Sequence, residues 1–183
     1  ELLAPHLPSR KEKYDIFLLA LKKFTDAGFD YIGMDHFAKP NDELAQARKN
    51  RTLWRNFMGY TTKAGTDLFG IGMSSIGRVH DAFIQNERDM KKYQDEVGKN
   101  STATLRGFLL SQDDLIRSRV IQNLLCHAHV KKSEINREFN IDFDVYFKDA
   151  LQKLKGPGED GLVQLKPDVV EPTEVGRVFL RNL

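Results

Sequence analysis

Cysteine, long apolar runs and an excess of one charge are the features that this sequence has least of. Cys126 is the only cysteine among 183 residues, which excludes an internal disulfide and any all-thiolate metal site formed by this chain alone. No apolar run approaches the roughly 20 residues needed to cross a bilayer. The 28 basic and 26 acidic residues leave a net charge of +2, too weak a field to indicate a nucleic acid or a membrane as partner. We therefore expect a globular protein of the reducing cytoplasm.

The first third of the chain has the pattern of an alternating α/β protein. Ser9 and Glu12 have capping-box spacing, and an apolar stripe follows until Gly28, which predicts a helix over residues 10–27. The short apolar segment "DYIGMD" then predicts a buried strand, and Pro40 with Asn41 or Asp42 is expected to begin a second helix. A helix, a strand and a helix in this order indicate a parallel sheet.

Asp35, His36 and Phe37 follow this predicted strand directly. Ligands bind at the carboxyl ends of strands in parallel sheets, so these residues are candidates for a site. The alternative is structural: Asp35 braces the following loop and His36 is a hydrogen-bonded polar residue. The residues alone leave both possibilities open.

A second strand is predicted over Asp67–Met73. Gly70 and Gly72 leave one side of its backbone bare, so either a neighbouring backbone or a ligand could approach closely there. The glycine pattern of "GIGMSSIG" is not a complete dinucleotide-binding fingerprint. His36 and His80 lack a third metal ligand, and His127 and His129 are expected on different helical faces, so neither pair predicts a metal site.

The polar segment "GKNSTAT" near residue 98 marks the predicted domain boundary, with one domain over 1–98 and a mostly helical one over 99–183. Ser111 and Ser133 are expected to cap helices, and a third helix is expected from Phe143 to Leu154. "LVQL" and "DVVE" predict a hairpin, after which Thr173 caps a last helix. Three helices followed by a two-stranded wing suggest a winged-helix-like unit.

A winged helix raises the possibility of nucleic-acid binding. Residues 133–155 carry four basic and five acidic residues, a net charge of −1, whereas a helix that enters a phosphate-lined groove should be basic. The charge therefore favours a domain that packs against the α/β part of the protein.

Longer motifs run along nearly the whole chain in a consistent order. They are "YIGMDHFAKPNDELAQA", "RNFMGYTTKAGTDLFGIGMSSIG", "LRGFLLSQDDLIRSRVI", "DGLVQL" and "TEVGRVFLRN". Together they resemble the carboxyl-terminal half of the oxygen-independent coproporphyrinogen III oxidases, a radical S-adenosylmethionine family of heme biosynthesis. The chain also begins with Glu1, and we expect it to be part of a longer protein.

The resemblance implies the closing part of an incomplete (β/α) barrel followed by the helical domain. It also implies an enzyme that converts coproporphyrinogen III to protoporphyrinogen IX by oxidative decarboxylation of two propionates. In this family a [4Fe-4S] cluster and S-adenosylmethionine generate the reactive radical, and the electron donor is not specified by the sequence. The cluster-binding cysteine motif is absent here, so we expect the cofactors in the full-length protein and an inactive fragment.

By resemblance, Ile76 contacts S-adenosylmethionine, which agrees with the bare backbone at Gly70 and Gly72. Residues near the expected cavity are Asp35, His36, Phe37, Gly59 and Tyr60. Met58 departs from the family, which has a glutamine before the Gly-Tyr pair. No residue of this chain is expected to be the catalyst itself.

Two other functions remain. A sister protein of the same superfamily could bind or transfer heme without oxidase activity, and a winged-helix regulator is disfavoured by the charge. Because barrel strands without their neighbours have open edges, self-association of the fragment is also expected.

Overall fold

The computed structural model describes residues 7–183, which form short helices and four small sheets. The helices are α1 (Arg10–Asp26), α2 (Glu43–Lys49), α3 (Met90–Asn100), α4 (Gln112–His127), α5 (Lys132–Phe139), α6 (Phe143–Tyr146), α7 (Lys148–Lys153) and α8 (Lys155–Glu159). The strands are β1 (Asp30–Gly33), β2 (His36–Ala38), β3 (Trp54–Asn56), β4 (Gly59–Thr61), β5 (Ile76–Val79), β6 (Ala82–Asn86), β7 (Thr104–Leu109), β8 (Val130–Lys131), β9 (Val163–Leu165) and β10 (Val169–Pro172). A 3-10 turn (Gly176–Phe179) follows β10. No helix in the described part of the chain is long and apolar enough to span a membrane.

All strand pairs described between residues 7 and 183 are antiparallel, so the predicted parallel sheet is wrong for this chain. The four sheets are β1-β2, β3-β4, β5-β6-β7 and β8-β10-β9. The reason is visible after β1, where Met34 adopts a positive φ of 54° and the chain turns back into β2. A parallel pair would need a long crossover at this point. The fold is a mixture of helices and strands in which no closed barrel is formed by these residues.

The two helices predicted at the start are confirmed. Ser9 Oγ accepts a hydrogen bond from Glu12 N, and Glu12 Oε2 accepts one from Ser9 N, which completes the capping box of α1. Asp42 caps α2 by accepting a hydrogen bond from Leu44 N at 2.9 Å. These local signals act within a few residues and therefore need no tertiary contact to form.

The strand predicted over Asp67–Met73 is wrong. Only Leu68 of this segment pairs, through a single bridge to Arg78. Gly72 has a φ of 101°, which is outside the strand region, and the segment curls into a loop. The apolar run alone did not show this turn.

The predicted boundary at residue 98 lies inside α3. Strand β7, which follows α3, pairs with β6, which precedes α3. In this pairing Phe83 lies opposite Phe108. The sheet β5-β6-β7, which we call the hairpin sheet, therefore contains residues from both sides of residue 98.

Helix α4 and the hairpin of β9 and β10 form as predicted. Ser111 Oγ accepts from Asp114 N, and Asp114 Oδ2 accepts from Ser111 N at 2.9 Å. Strand β10 also pairs with β8, which adds a third strand to the sheet. The helix predicted from Phe143 to Leu154 is divided into α6 and α7, and Thr173 precedes a 3-10 turn.

The predicted cap at Ser133 is wrong. Helix α5 begins at Lys132, and both Ser133 N and Ser133 Oγ donate hydrogen bonds to the carboxylate of Asp168 at 2.8 Å. Asp168 precedes β10, so this serine connects α5 to the sheet. A tertiary partner has replaced the local capping role.

Two apolar clusters form the interior. The first lies under β1, α2 and β4, and its buried members are Ile32, Ala38, Ala45, Ala47, Leu53, Tyr60 and Cys126. The second, which we call the C-terminal core, contains Ile116, Val130, Ile135, Phe143, Phe147, Val163 and Val170. Helix α4 contributes Ile116 to one and Cys126 to the other, so it connects the two.

Candidate functional site

His36 and Tyr60 meet between the β1-β2 and β3-β4 hairpins. Their rings lie edge to face with centroids 5.1 Å apart. A Cβ added at Gly59 would lie 3.4 Å from His36 Nε2, so a side chain at Gly59 would crowd the imidazole. Asp35 also belongs to this group, because its Oδ1 lies 2.8 Å from His36 Nδ1. Four of the residues predicted near a cavity are therefore brought together, and we call them the His36 group.

The contact between Asp35 and His36 is close but poorly aligned. His36 Nδ1 is buried and has no partner with hydrogen-bond geometry among residues 7–183, although the distance to Asp35 Oδ1 is short. We therefore describe it as an electrostatic contact and not as a hydrogen bond. Asp35 is mostly exposed, so it offers its other oxygen to solvent or to a ligand.

The Tyr60 hydroxyl makes a structural hydrogen bond. It donates a hydrogen bond to the backbone oxygen of Leu125 in α4 at 3.0 Å. The hydroxyl passes the β1-β2 hairpin at Gly33, where an added Cβ would lie only 2.3 Å from it. Gly33 is therefore required by the close approach of Tyr60, and Tyr60 offers its ring, rather than its hydroxyl, to the His36 group.

Burial sets the ionisation of the two titratable groups in this region. Burial, with the neighbouring Cys126 as the next cause, raises the pKa of Tyr60 to about 12. Burial likewise raises the pKa of the Cys126 thiol to about 12. Both groups are protonated at neutral pH, so neither acts as an anionic ligand or nucleophile.

Phe37 lies apart from the His36 group. Its ring stacks on Phe24 of α1 with centroids 4.6 Å apart, and Tyr31 lies at 5.3 Å. Neighbouring residues of a strand point to opposite sides, so β2 directs Phe37 towards α1 and His36 towards β4. Its observed role is to hold α1 on the hairpin.

Gly70 and Gly72 lie in the loop before β5, where the chain itself makes the close approach. A Cβ at Gly70 would lie 2.9 Å from Ser75 Oγ and 3.0 Å from the carbonyl carbon of Ile76. Asn86 Nδ2 lies within 3.2 Å of the carbonyl oxygens of Gly70 and Gly72 and 3.0 Å from Ser75 Oγ. The shape of this loop is therefore fixed by side chains and backbone of the same chain.

Ile76 begins β5 at the edge of the hairpin sheet and is partly buried. Across the sheet it pairs with Gln85, whose Oε1 accepts a hydrogen bond from Arg106 Nε at 2.9 Å. An aliphatic side chain beside polar groups is an arrangement suited to an amphipathic ligand. Phe57, at the tip of the β3-β4 hairpin, contacts Phe83 of the same sheet with centroids 5.1 Å apart.

Arg55 and Gln122 also support the His36 group, and the sequence did not single them out. Gln122 accepts from Arg55 N at 3.2 Å and donates to Arg55 O at 2.6 Å, so its amide pairs with β3 as a strand would. The Arg55 guanidinium lies 5.8 Å from the centre of the Tyr60 ring. The available signal was a polar glutamine within the apolar stripe of α4.

The chain is similar to known proteins over nearly its whole length. Residues 110–179 match the family model of the HemN C-terminal domain. An oxygen-independent coproporphyrinogen III oxidase from Salmonella typhimurium is 40% identical over 177 residues, which are 97% of this chain and 39% of that protein. The protein of the same name from Thermostichus vulcanus is 40% identical over 178 residues, 97% of this chain and 55% of its own length.

The solved structures contain a match of the same kind. Coproporphyrinogen III oxidase (HemN) from Escherichia coli, described as a radical SAM enzyme, has a TM-score of 0.93 and 39% sequence identity. The match covers 98% of this chain and 41% of that one. The chain is therefore similar, over nearly its whole length, to a portion of the oxygen-independent coproporphyrinogen III oxidases. It spans 39% of the length of the Salmonella relative.

The residues of this chain do not fit an iron-sulfur cluster. Such clusters are held by several cysteine thiolates, and Cys126 is the only cysteine of the sequence. Its side chain is buried, and its raised pKa keeps it a thiol. Across residues 7–183, no group of three or more His, Cys, Asp or Glu residues has the arrangement of a metal site.

His80 and His129 have local partners. His80 N donates to Asp67 Oδ1 at 2.7 Å in the turn between β5 and β6, while His36 lies in a different sheet. His129 Nδ1 lies 3.5 Å from Glu171 Oε2. His127 faces a cleft beside α2.

Proposed function

We propose that this chain is part of an oxygen-independent coproporphyrinogen III oxidase that converts coproporphyrinogen III to protoporphyrinogen IX by oxidative decarboxylation of two propionates. The observation that carries the proposal is the 40% identity to oxidases of this name over 97% of the chain. The structural match to the Escherichia coli enzyme supports it over the same range. The substrate and the activity are those of the longer protein.

Within that oxidase, the His36 group is proposed to form one wall of the substrate cavity. Its features suit this role because Asp35 is exposed, while the ring of His36 is held between Gly59 and Tyr60. The substrate carries carboxylates, and His36 and Arg55 are the basic side chains next to this wall. We assign the group to binding and shaping the cavity, with no catalytic residue in this chain.

Ile76 is proposed to contact S-adenosylmethionine in the assembled oxidase. S-Adenosylmethionine and a [4Fe-4S] cluster would together supply the radical that removes a hydrogen atom from a substrate propionate. The part-buried aliphatic side chain of Ile76, next to Gln85, fits an apolar contact with the cofactor. Its proposed contribution is to position the cofactor and exclude water, while the cluster is held by residues outside this chain.

The main proposal is tested by comparing the oxidase activity of the full-length protein with that of the 183-residue chain. We expect anaerobic conversion of coproporphyrinogen III by a full-length protein that contains this sequence, and none by the 183-residue chain alone. Heme titration of the same full-length protein separates the alternative of a heme-binding relative. Stoichiometric heme binding with no decarboxylation would contradict the oxidase proposal.

The contact of Ile76 is tested in the full-length protein. Ile76→Ala is expected to raise KM for S-adenosylmethionine about tenfold, because trimming an apolar contact costs roughly 1–3 kcal/mol. Val79→Ala is the matched control, because Val79 lies on the same strand but on the opposite face. Equal effects of the two substitutions would indicate general damage to β5.

We also propose that the chain has two units within this oxidase, a portion that closes an incomplete (β/α) barrel and a winged-helix-like unit. The order α4, β8, α5, α6, α7, α8, β9 and β10, with the sheet order β8-β10-β9, supports the second unit. The pairing of β7 with β6 favours a division near residue 110, where the HemN C-terminal match begins, over one at residue 98. Limited proteolysis that yields a stable fragment starting near residue 110 would support this division.

Cytoplasmic location and self-association complete the proposal. A thiol kept reduced at Cys126 fits the cytoplasm. Strand β7 is exposed along its whole length and forms an edge of the hairpin sheet, which favours pairing between copies of the isolated chain. A monomer at all concentrations in size-exclusion chromatography would contradict self-association.

A further inference from the structure

A basic cleft lies where the C-terminal ends of α2 and α4 approach β1. It has a volume of about 320 Å³. Its lining residues are Asp30, Ala45, Arg48, Lys49, Arg51 and His127. None of them belongs to the His36 group or to the surroundings of Ile76.

The cations of the cleft outnumber its carboxylates. Asp30 is the one acidic lining residue, and its Oδ2 lies 3.6 Å from Lys49 Nζ. Arg48 Nη1 donates to the backbone oxygen of Tyr31 at 2.5 Å and has no ion pair within residues 7–183. Arg51 likewise has no carboxylate partner among the described residues. Two guanidinium groups thus line one cleft in which Asp30 is the one carboxylate.

His127 adds an unused polar atom to this cleft. Its Nδ1 is fully buried and has no hydrogen-bond partner in the described structure. Burial, followed by the charges of Arg51 and Arg119, lowers the pKa of His127. Burial and the nearby Arg177 also lower the pKa of Arg48. An anion in the cleft would relieve both the crowding of cations and the unpaired nitrogen.

The C-terminal ends of helices attract cations, which is a simpler explanation for the basic residues of the cleft. The last carbonyls of α2 already accept backbone hydrogen bonds, with Asn50 N donating to Gln46 O and Thr52 N to Ala47 O. Ala128 N similarly donates to Leu124 O at the end of α4. These backbone carbonyls at the helix ends therefore do not need the basic side chains as hydrogen-bond donors.

Arg51 occupies a backbone position that favours glycine. It follows the C-cap residue Asn50 of α2 and has a φ of 56°, in the left-handed region. A long charged side chain at this position is unfavourable for the backbone. The exposed side chain of Arg51 leaves this turn at the lining of the cleft.

We propose that this cleft is a binding site for a small anion that carries a phosphate or carboxylate group, with Arg48, Arg51 and His127 as its ligands. Planar guanidinium groups donate paired hydrogen bonds to either kind of anion, and neutral His127 can donate one from Nδ1. The volume is sufficient for a phosphate or a small dicarboxylate. The site is independent of the oxidase reaction proposed above.

Isothermal titration of the purified full-length protein with inorganic phosphate and, separately, with succinate tests the site at low ionic strength. We expect saturable binding of at least one anion. Arg51→Gly should weaken this binding at least about fivefold, because it removes one charged ligand. The substitution also relieves the positive φ, so the variant is expected to fold at least as well as the parent protein.

Arg88→Ala is the matched control, because Arg88 is exposed and outside the cleft and its loss changes the net charge equally. Its effect on binding should be less than twofold. His127→Gln, which retains an N–H donor, should bind more tightly than His127→Leu. Saturation by phosphate alone would identify phosphate esters as the ligand class, and saturation by succinate alone would identify carboxylates. Absence of saturable binding, or equal losses in Arg51→Gly and Arg88→Ala, would overturn the proposal.

Discussion

Phe143 and Phe108 are both phenylalanines of regular elements, yet Phe143 is 3% exposed and Phe108 is 58% exposed. The first lies in the C-terminal core, where α4, α5, α6 and the sheet β8-β10-β9 surround it. The second lies on β7 of the hairpin sheet, and every residue of β7 is exposed. The C-terminal core is therefore closed by its own elements, whereas the hairpin sheet presents apolar side chains to its surroundings.

The difference has a topological cause. Helix α4 and the helices that follow it pack against the short strands of the C-terminal core, where Val130, Val163 and Val170 are buried. The hairpin sheet is contacted by the ring of Phe57 and by the loop at Leu68, but its strand β7 is exposed along its whole length. A sheet with so little cover gains little stability from burial of its own side chains.

The largest expected effect is at the centre of the C-terminal core. Phe143→Ala should lower the free energy of unfolding by about 3–5 kcal/mol, because it removes a buried ring and leaves a cavity. Urea denaturation measures the change. Phe108→Ala is the matched control and should cost less than about 1 kcal/mol, since its ring is largely exposed. Equal losses would contradict the contrast between the two regions.

Tyr60→Phe has the next largest expected effect. It leaves the buried oxygen of Leu125 without its hydroxyl donor, which should cost about 1–3 kcal/mol. Thermal unfolding of the two proteins measures this loss. Thr61→Val provides a comparison on the same strand, because Thr61 is only partly buried. A variant as stable as the parent would show that the bond to α4 contributes nothing.

Alkaline pH should destabilise the same region. Cys126 and Tyr60 have folded-state pKa values of about 12, raised from 9.0 and 10.0. A raised folded-state pKa means that the folded protein holds the proton more tightly, so stability is lost as pH rises from about 9 towards 12. Urea midpoints measured across this pH range should fall. In Tyr60→Phe, the fall of the midpoint above pH 10 should be less steep. A midpoint constant to pH 12 would contradict the burial of both groups.

Loss of a helix cap should have a smaller effect, and its size should depend on the region. Ser111→Ala should cost about 1 kcal/mol, because α4 connects the two apolar clusters and its capping box stabilises the whole fold. Ser9→Ala removes the same type of cap from α1, which has no buried residues. It should change global unfolding by less than about 0.5 kcal/mol. Similar values for the two caps would show that α1 unfolds together with the rest.

The smallest expected effect on stability is in the hairpin sheet. Leu109 is 77% exposed, so Leu109→Thr should change the free energy of unfolding by no more than about 0.5 kcal/mol. It should nevertheless reduce self-association of the isolated chain, because it removes an apolar group from the exposed edge strand. Sedimentation velocity measures the association. Strong destabilisation by this substitution would show that the hairpin sheet is covered in solution.

Much of the helical structure was predictable from local signals. The caps at Ser9, Asp42 and Ser111 each depend on a hydrogen bond within three residues, and all three formed. The strand predicted at residues 67–73 failed because Gly72 adopts a positive φ and Asn86, fourteen residues away, fixes the loop. Ser133 failed as a cap because Asp168 took its hydrogen bonds.

The candidate site was predictable only in outline. "MDHF" and "GYTT" indicated the right residues, and the structure brings His36 and Tyr60 together. Their separation in sequence gave no means to find Gly33 or Leu125, which determine where Tyr60 lies. Phe37 is adjacent to His36 in sequence but faces α1, because strand geometry alternates the direction of side chains.

The sequence by itself determined the helix ends, the absence of a thiolate cluster and the resemblance to the oxidase family, because these depend on residue types at fixed short spacings. Tertiary structure alone decided that β1 turns back into an antiparallel hairpin and that α4 connects two cores. It also decided that Arg48, Arg51 and His127 surround one cleft. Those outcomes depend on which distant surfaces meet, and contacts between distant residues leave no periodic signal in a single sequence.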